Sequence, residues 1–118
     1  MDQPRRRPTD EGCRPWAIVH VGARNGIEAL PGAAAYSVTK AALVHLTRIL
    51  DSELRPFGVR ANAVVPGVID TPANRAVLSP ETMQHAVTPE AIATVIAFLV
   101  SDDAAPVSGA VIPVYGTA

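Results

Sequence analysis

The hydrophobic pattern of this chain changes its period four times, and this alternation restricts the fold more than any other feature. A short β-branched run at 17–21 is followed by an apolar stripe of helical spacing over 33–55. A strand pattern at 59–65, a helix pattern at 89–100 and a strand pattern at 110–115 come next. Strands that alternate with helices of this length pair in parallel through right-handed crossovers. The sequence therefore predicts an α/β fold of order β-α-β-α-β, about half of a doubly wound parallel sheet.

Turn and capping residues give the boundaries of these elements. Pro56 and Gly58 end the first helix, and Thr88 followed by Pro89 is a typical helix start. Pro113 has no N–H group to donate to a sheet, so the third strand is predicted to lie at or near a sheet edge.

The remaining segments carry weaker patterns. Residues 22–32 are rich in glycine and are predicted to form a loop, and residues 68–87 look irregular, with a short helix after Ser79. Residues 1–14 show no hydrophobic period, so we predict a solvated, disordered tail there and a single folded unit over 15–118.

Composition excludes several classes of protein. The 118 residues carry a net charge of −1, so they have no basic excess with which to bind nucleic acid. No apolar run approaches the roughly 18–20 residues of a membrane span, and no signal-peptide pattern is present. The single cysteine, Cys13, excludes an internal disulfide and a cysteine-based metal cluster, and we predict no metal site. We therefore expect a cytoplasmic protein.

Tyr36 and Lys40 are the residues best suited to chemistry. They are four residues apart in the first predicted helix, which places them on one face and one turn apart. An ammonium group beside a phenol lowers the tyrosine pKa, and such a tyrosine can exchange a proton with a carbonyl or alcohol oxygen. The chain has nine arginines but only this one lysine, which indicates that a compact positive charge matters here.

Three stretches, in register, resemble the short-chain dehydrogenase/reductase family. Residues 30–43, LPGAAAYSVTKAAL, are similar to its active-site helix, and residues 59–72, VRANAVVPGVIDTP, to its next strand and Pro-Gly turn. Residues 89–110 are similar to its last helix and the start of its last strand. The resemblance runs from about residue 16 to residue 116.

This resemblance implies a partial Rossmann-like fold. It also implies an NAD(P)-dependent oxidoreductase that moves a hydride between the nicotinamide and a small carbonyl or alcohol substrate. It implies that Tyr36 is the catalytic acid/base and that Lys40 lowers its pKa and holds the nicotinamide ribose. It further implies that the cofactor-binding residues also include Pro66, Gly67, Ile69 and Thr71. The choice between NAD and NADP is left open.

The sequence departs from the family in three places. No glycine-rich loop joins a strand to a helix start, so the chain resembles only the carboxyl half, with the amino-terminal nucleotide-binding half missing. Ala23 stands where the family has a serine, as in its dihydropteridine reductase branch, which 71–75 also resembles. The lid stretch 73–87 is short. The alternative hypothesis is an inactive fragment, or a homo-oligomerisation module that pairs through helix 33–55 and the last strand.

Overall fold

The computed structural model describes residues 16–118, which form a three-stranded parallel sheet packed with helices. The strands are β1 (Ala17–Val21), β2 (Arg60–Pro66) and β3 (Val111–Val114), in the order β1-β2-β3. The helices are α1 (Ala34–Leu54), α2 (Pro72–Val77), α3 (Pro80–Met83) and α4 (Pro89–Val100), and short 3-10 turns occupy Arg24–Gly26, Arg55–Phe57 and Asp102–Ala104. The tail predicted at 1–14 lies outside the described residues.

The parallel pairing and the α/β order confirm the predicted partial Rossmann-like fold. Ile18 lies opposite Ala61, and Val64 lies opposite Ile112. The central strand β2 is almost entirely buried, whereas β1 and β3 form the two edges of the three-stranded sheet. Pro113 is therefore on an edge strand, as predicted, because a central strand would need its missing N–H group.

The two long helices cover opposite faces of the sheet. Val64 packs in the core with Ile92 and Leu99 of α4, whereas Val65 lies next to Gly22 and close to Val44 of α1. Successive side chains of a strand point to opposite faces, so α1 and α4 lie on different sides of β2. This is the doubly wound arrangement. Within the described residues, no helix is long and apolar enough to cross a membrane.

The segment between α4 and β3 is attached to the amino end of β2 by polar contacts. Fully buried Asn62 donates to the carbonyl of Val107 at 3.0 Å and accepts from the backbone N–H of Ala110 at 3.0 Å. Asp51 of α1 accepts from the hydroxyl of Ser108 at 2.5 Å. These contacts hold the start of β3 beside β2. The pairing of the two strands at this end of the sheet therefore depends on hydrogen bonds as well as on apolar packing.

The structure corrects the interpretation of 68–87 as irregular apart from one short helix. It confirms the helix after Ser79, which is α3, but it adds α2 before it. Thr71 caps α2 by accepting a hydrogen bond from the N–H of Asn74 at 3.1 Å, and Pro72 occupies the first helical position. The Thr-Pro pair that predicted α4 is thus repeated at 71–72.

The Asp51 contacts predict how stability depends on pH. The Arg55 guanidinium, followed by the Ser108 hydroxyl, holds the pKa of Asp51 below its ordinary value of 3.8. A carboxyl group with a lowered folded-state pKa adds stability above its ordinary pKa and loses it as the pH falls through the folded value. The stability advantage of the native chain over Asp51→Asn should be constant from pH 7 to 5 and shrink below about pH 4. Urea unfolding at each pH measures it, with exposed Asp103→Asn as control; an advantage independent of pH would contradict the prediction.

Candidate active site

The carboxyl ends of the three strands lie at one edge of the sheet, where parallel α/β sheets bind ligands. The loop after β1 contains Arg24, the turn after β2 contains Gly67, and Tyr115 directly follows β3. A methyl group placed at Gly67 would lie 3.8 Å from Cδ1 of Tyr115 and 3.9 Å from Cδ of Arg24. Three segments that are far apart in the sequence therefore meet at this edge.

Tyr36 and Lys40 lie on the same face of α1, as their spacing predicts. The ammonium nitrogen of Lys40 is 5.7 Å from the centre of the Tyr36 ring and donates to the carbonyl of Val21 at 3.4 Å. Half of the Tyr36 surface is exposed. The lysine thus joins the helix to the last residue of β1, and the tyrosine ring is open to a ligand next to it.

The turn Arg24–Gly26 rests directly on α1 at Lys40. A methyl group at Gly26 would lie 2.8 Å from the carbonyl carbon and the carbonyl oxygen of Lys40, so a larger residue would push the turn and the helix apart. The sequence pattern predicts for Gly26 only a place in a glycine-rich loop. The structure shows that its small size lets the backbone approach the helix that carries Tyr36.

Ala23 is buried, with 6% of its surface exposed, and its backbone is extended. Its carbonyl accepts a hydrogen bond from the N–H of Gly26 at 2.8 Å, which begins the turn after β1. Because an alanine side chain has no polar atom, this position offers a substrate no hydroxyl group.

The predicted nicotinamide residues follow the end of β2. Pro66 is the last, buried residue of the strand, and Gly67 begins the turn. The Ile69 side chain packs against the core, and its carbonyl accepts from the side-chain amide of Asn74 at 2.8 Å. The Thr71 hydroxyl caps α2. The turn is therefore built by its own hydrogen bonds, with Gly67 nearest to Arg24 and Tyr115.

The structure adds a charged cluster that the sequence analysis did not identify. Arg24 donates from Nε to Oε2 of Glu28 at 2.7 Å, and its Cζ lies 4.4 Å from the centre of the Tyr115 ring. Burial and the nearby Glu28 carboxylate raise the pKa of Tyr115, and the hydrogen bond from Arg24 lowers that of Glu28. The Arg24–Glu28 spacing of a helical turn was visible in the sequence, but the stacking on Tyr115 depends on the tertiary fold.

The donor groups at this edge fit the nicotinamide end of a dinucleotide. Lys40 has three N–H donors, of which the Val21 carbonyl takes one, and the Tyr36 hydroxyl has no partner among residues 16–118. Both groups can therefore hydrogen-bond ribose hydroxyls. Nowhere in 16–118 does a glycine-rich turn run from a strand into a helix start, so the described residues fit the nicotinamide half only.

Comparisons with known proteins find matches over most of this chain. A family model described as enoyl-(acyl carrier protein) reductase matches residues 11–116. Cyclopentanol dehydrogenase from Comamonas sp. is 37% identical over 120 residues, which cover 93% of this chain and 46% of that protein. An oxidoreductase of the short-chain dehydrogenase/reductase family from Burkholderia thailandensis is 40% identical with a TM-score of 0.76, over 85% of this chain and 43% of that one.

A third similar structure, 4-hydroxyisoleucine dehydrogenase, is complexed with NADH. It is 28% identical to this chain with a TM-score of 0.75, and the match covers 92% of this chain and 48% of that one. The chain thus spans less than half the length of each of these relatives.

Proposed function

This chain belongs to the short-chain dehydrogenase/reductase family, and we propose that it forms the catalytic half of an NAD(P)-dependent oxidoreductase that interconverts a carbonyl and an alcohol. The observation that carries the proposal is the Tyr36–Lys40 pair on one face of α1, with the ammonium 5.7 Å from the ring centre. This pair lies beside the carboxyl edge of the sheet, because Lys40 also reaches the end of β1.

In the proposed reaction Tyr36 is the proton donor and acceptor. During reduction its hydroxyl proton moves to the carbonyl oxygen while a hydride reaches the carbonyl carbon, so that C=O becomes CH–OH; oxidation is the reverse. The bound nicotinamide supplies the hydride in one direction and takes it in the other. The positive charge of Lys40 stabilises the negative charge that remains on the Tyr36 oxygen.

The other residues of the site position the reactants. Lys40 and Tyr36 hold the nicotinamide ribose through the donors described above. The side of the site that faces the nicotinamide ring is formed by Pro66, Gly67, Ile69 and Thr71. Since Ala23 provides no hydroxyl, Tyr36 is the one residue within 16–118 that we assign to the reacting oxygen. A pterin-like substrate, which needs a proton and a hydride but no polarised ketone, is therefore compatible with the same pair.

A melting experiment on the 118-residue chain tests the cofactor part of this proposal. We expect reduced nicotinamide mononucleotide at millimolar concentration to raise the melting temperature, because a ligand that binds only the folded state stabilises it. AMP, which corresponds to the other end of the dinucleotide, should leave the transition unchanged. Circular dichroism follows the melt, and NADH and NADPH are measured alongside.

Lys40→Met is the variant that tests whether the Lys40 ammonium group holds the nicotinamide mononucleotide. The substitution removes the ammonium group, and with it only one hydrogen bond of the fold, the 3.4 Å bond to Val21. The chain should therefore remain folded and lose most of the rise in melting temperature that the mononucleotide causes. A shift that is equal for AMP and the nicotinamide mononucleotide, or unchanged in Lys40→Met, would show that the nicotinamide is not held at this pair.

A second candidate function, self-association without catalysis, is favoured by the exposed face of α1. Val38, Leu46 and Ile49 are 69%, 42% and 39% exposed, which is unusual for apolar side chains on one helix. If a second copy covers this face, light scattering should give a defined dimer or tetramer for the native chain and a monomer for Leu46→Glu. A monodisperse native monomer would contradict it.

A further inference from the structure

The guanidinium of Arg24 is held from two sides. Its Nε donates to Glu28 at 2.7 Å, and its Cζ lies over the ring of Tyr115, 4.4 Å from the ring centre. Stacking on an aromatic ring and a charged hydrogen bond together fix the orientation of a side chain that otherwise has many rotamers. Arg24 is thus preorganised, although about a third of its side chain remains exposed.

Most of the hydrogen-bonding capacity of Arg24 is not used. The bond to Glu28 takes one of the five N–H donors, and in the described part of the chain neither Nη atom has a partner. Glu28 occupies the Nε position, so the two Nη groups present their parallel N–H bonds as a fork. This fork matches the two oxygens of a carboxylate, which accepts a pair of charge-assisted hydrogen bonds from it.

Arg24 lies beside the proposed active site. Arg24 directly follows Ala23, its Cδ is 3.9 Å from the position of a methyl group at Gly67, and its turn packs on α1 at Lys40. Its side chain therefore lies next to the turn at Gly67, and the Gly26 end of its own turn contacts the helix that carries Tyr36. Within residues 16–118, Glu28 is the only charged hydrogen-bond partner of Arg24.

We propose that Arg24 binds a carboxylate group of the substrate, so that the substrate class is an oxo acid and the corresponding hydroxy acid. This assignment rests on the proposed function and deepens it. The carboxylate anchors one end of the substrate at Arg24, which compensates for the missing hydroxyl at Ala23 by fixing where the carbonyl lies relative to Tyr36.

Ligand titrations followed by NMR test this assignment without turnover. The 118-residue chain, labelled with nitrogen-15, is titrated with acetoacetate and, separately, with its neutral methyl ester, while the Nε–H signal of Arg24 is observed. We expect acetoacetate to shift this signal and the ester to bind at least roughly tenfold more weakly, since a hydrogen bond between charged groups is worth about 1.5–3 kcal/mol.

Two substitutions test whether the carboxylate binds to the two Nη groups of Arg24 or responds only to the net charge of the protein. Arg24→Gln should weaken acetoacetate binding about tenfold, whereas Arg55→Gln should leave it unchanged. Arg55 is a matched control, because it also pairs with a carboxylate one helical turn away, Asp51, but at the far end of α1. If Arg24→Gln does not fold, Arg24→Lys keeps the charge and loses the fork, and a several-fold loss of affinity is expected.

Three results would overturn the assignment: equal binding of the acid and the ester, unchanged affinity in the Arg24 variants, or binding of inorganic phosphate at Arg24 as tight as that of acetoacetate. These readouts need neither nucleotide nor hydride transfer. A failure at Arg24 is therefore distinguishable from a failure of the proposed oxidoreductase activity, which the melting experiment and the turnover of a Tyr36→Phe variant test.

Discussion

Tyr36→Phe is expected to reduce turnover by about 10²–10⁴-fold while the fold is retained. The substitution removes the only group that we assign to proton transfer with the reacting oxygen, and the chain offers no replacement at Ala23. The phenyl ring keeps the shape of the tyrosine, and the removed hydroxyl has no partner within 16–118, so packing should be unaffected.

The chain spans less than half the length of its relatives. Turnover is therefore best measured in a fusion protein that adds the remaining part of one relative. The part of Comamonas cyclopentanol dehydrogenase that lies outside its match to this chain can be joined to residues 16–118, since the matched segments are 37% identical. Oxidation of NADH or NADPH with simple ketones and acetoacetate is followed by absorbance. The unaltered fusion is the reference.

Thr39→Val is the control for the loss of a hydroxyl from α1. Thr39 is exposed and donates only to the carbonyl of Ala35 at 2.9 Å, so its removal should leave turnover within a few-fold of the reference. If Tyr36→Phe retained the turnover of the unaltered fusion, Tyr36 would not be the acid/base and the proposed mechanism would be wrong.

Asn62→Ala is expected to lower the free energy of unfolding of the chain by roughly 3–5 kcal/mol. Asn62 has no exposed surface, and its amide pairs with the carbonyl of Val107 and the N–H of Ala110. Alanine would leave both backbone groups without these partners, each costing about 1–3 kcal/mol, and would also leave a cavity. Since small domains have only about 5–15 kcal/mol of stability, this loss threatens the whole fold.

Urea unfolding followed by circular dichroism measures the loss, and Asn74→Ala is the matched control. Asn74 also donates its side-chain amide to a backbone carbonyl, that of Ile69, but it is only partly buried. We expect its replacement to cost about 1 kcal/mol, because water can satisfy the carbonyl that it leaves. Equal losses for the two variants would mean that the buried connection between β2 and the segment before β3 contributes little.

These expectations depend on tertiary contacts to different degrees. The Tyr36–Lys40 pair could be found from the sequence, because four residues of helix place both side chains on one face whatever the helix packs against. The strands, the long helices and the edge position of Pro113 were predictable for the same kind of reason. Each depends on the period of apolar residues, or on a missing N–H group, and both are local properties of the chain.

The 68–87 stretch shows where a local signal was present but incomplete. Thr71 and Pro72 form the same start signal as Thr88 and Pro89, and both pairs do begin helices. Only the second pair precedes a long apolar stripe. A helix of one or two turns has too few residues to display a period, so α2 could not be predicted from hydrophobicity.

The polar contacts at both ends of the sheet were decided by the tertiary structure alone. Asn62 meets the segment before β3, Asp51 meets Ser108, and Arg24 stacks on Tyr115, although the partners lie far apart in the sequence. A hydrogen bond or a stacked cation requires two specific groups at a defined distance, and it leaves no periodic trace in either segment. The sequence therefore determined the strands, the long helices and the residues that could do chemistry. The tertiary structure decided which charged groups and amides surround those residues, because these contacts depend on how distant segments pack beside β2.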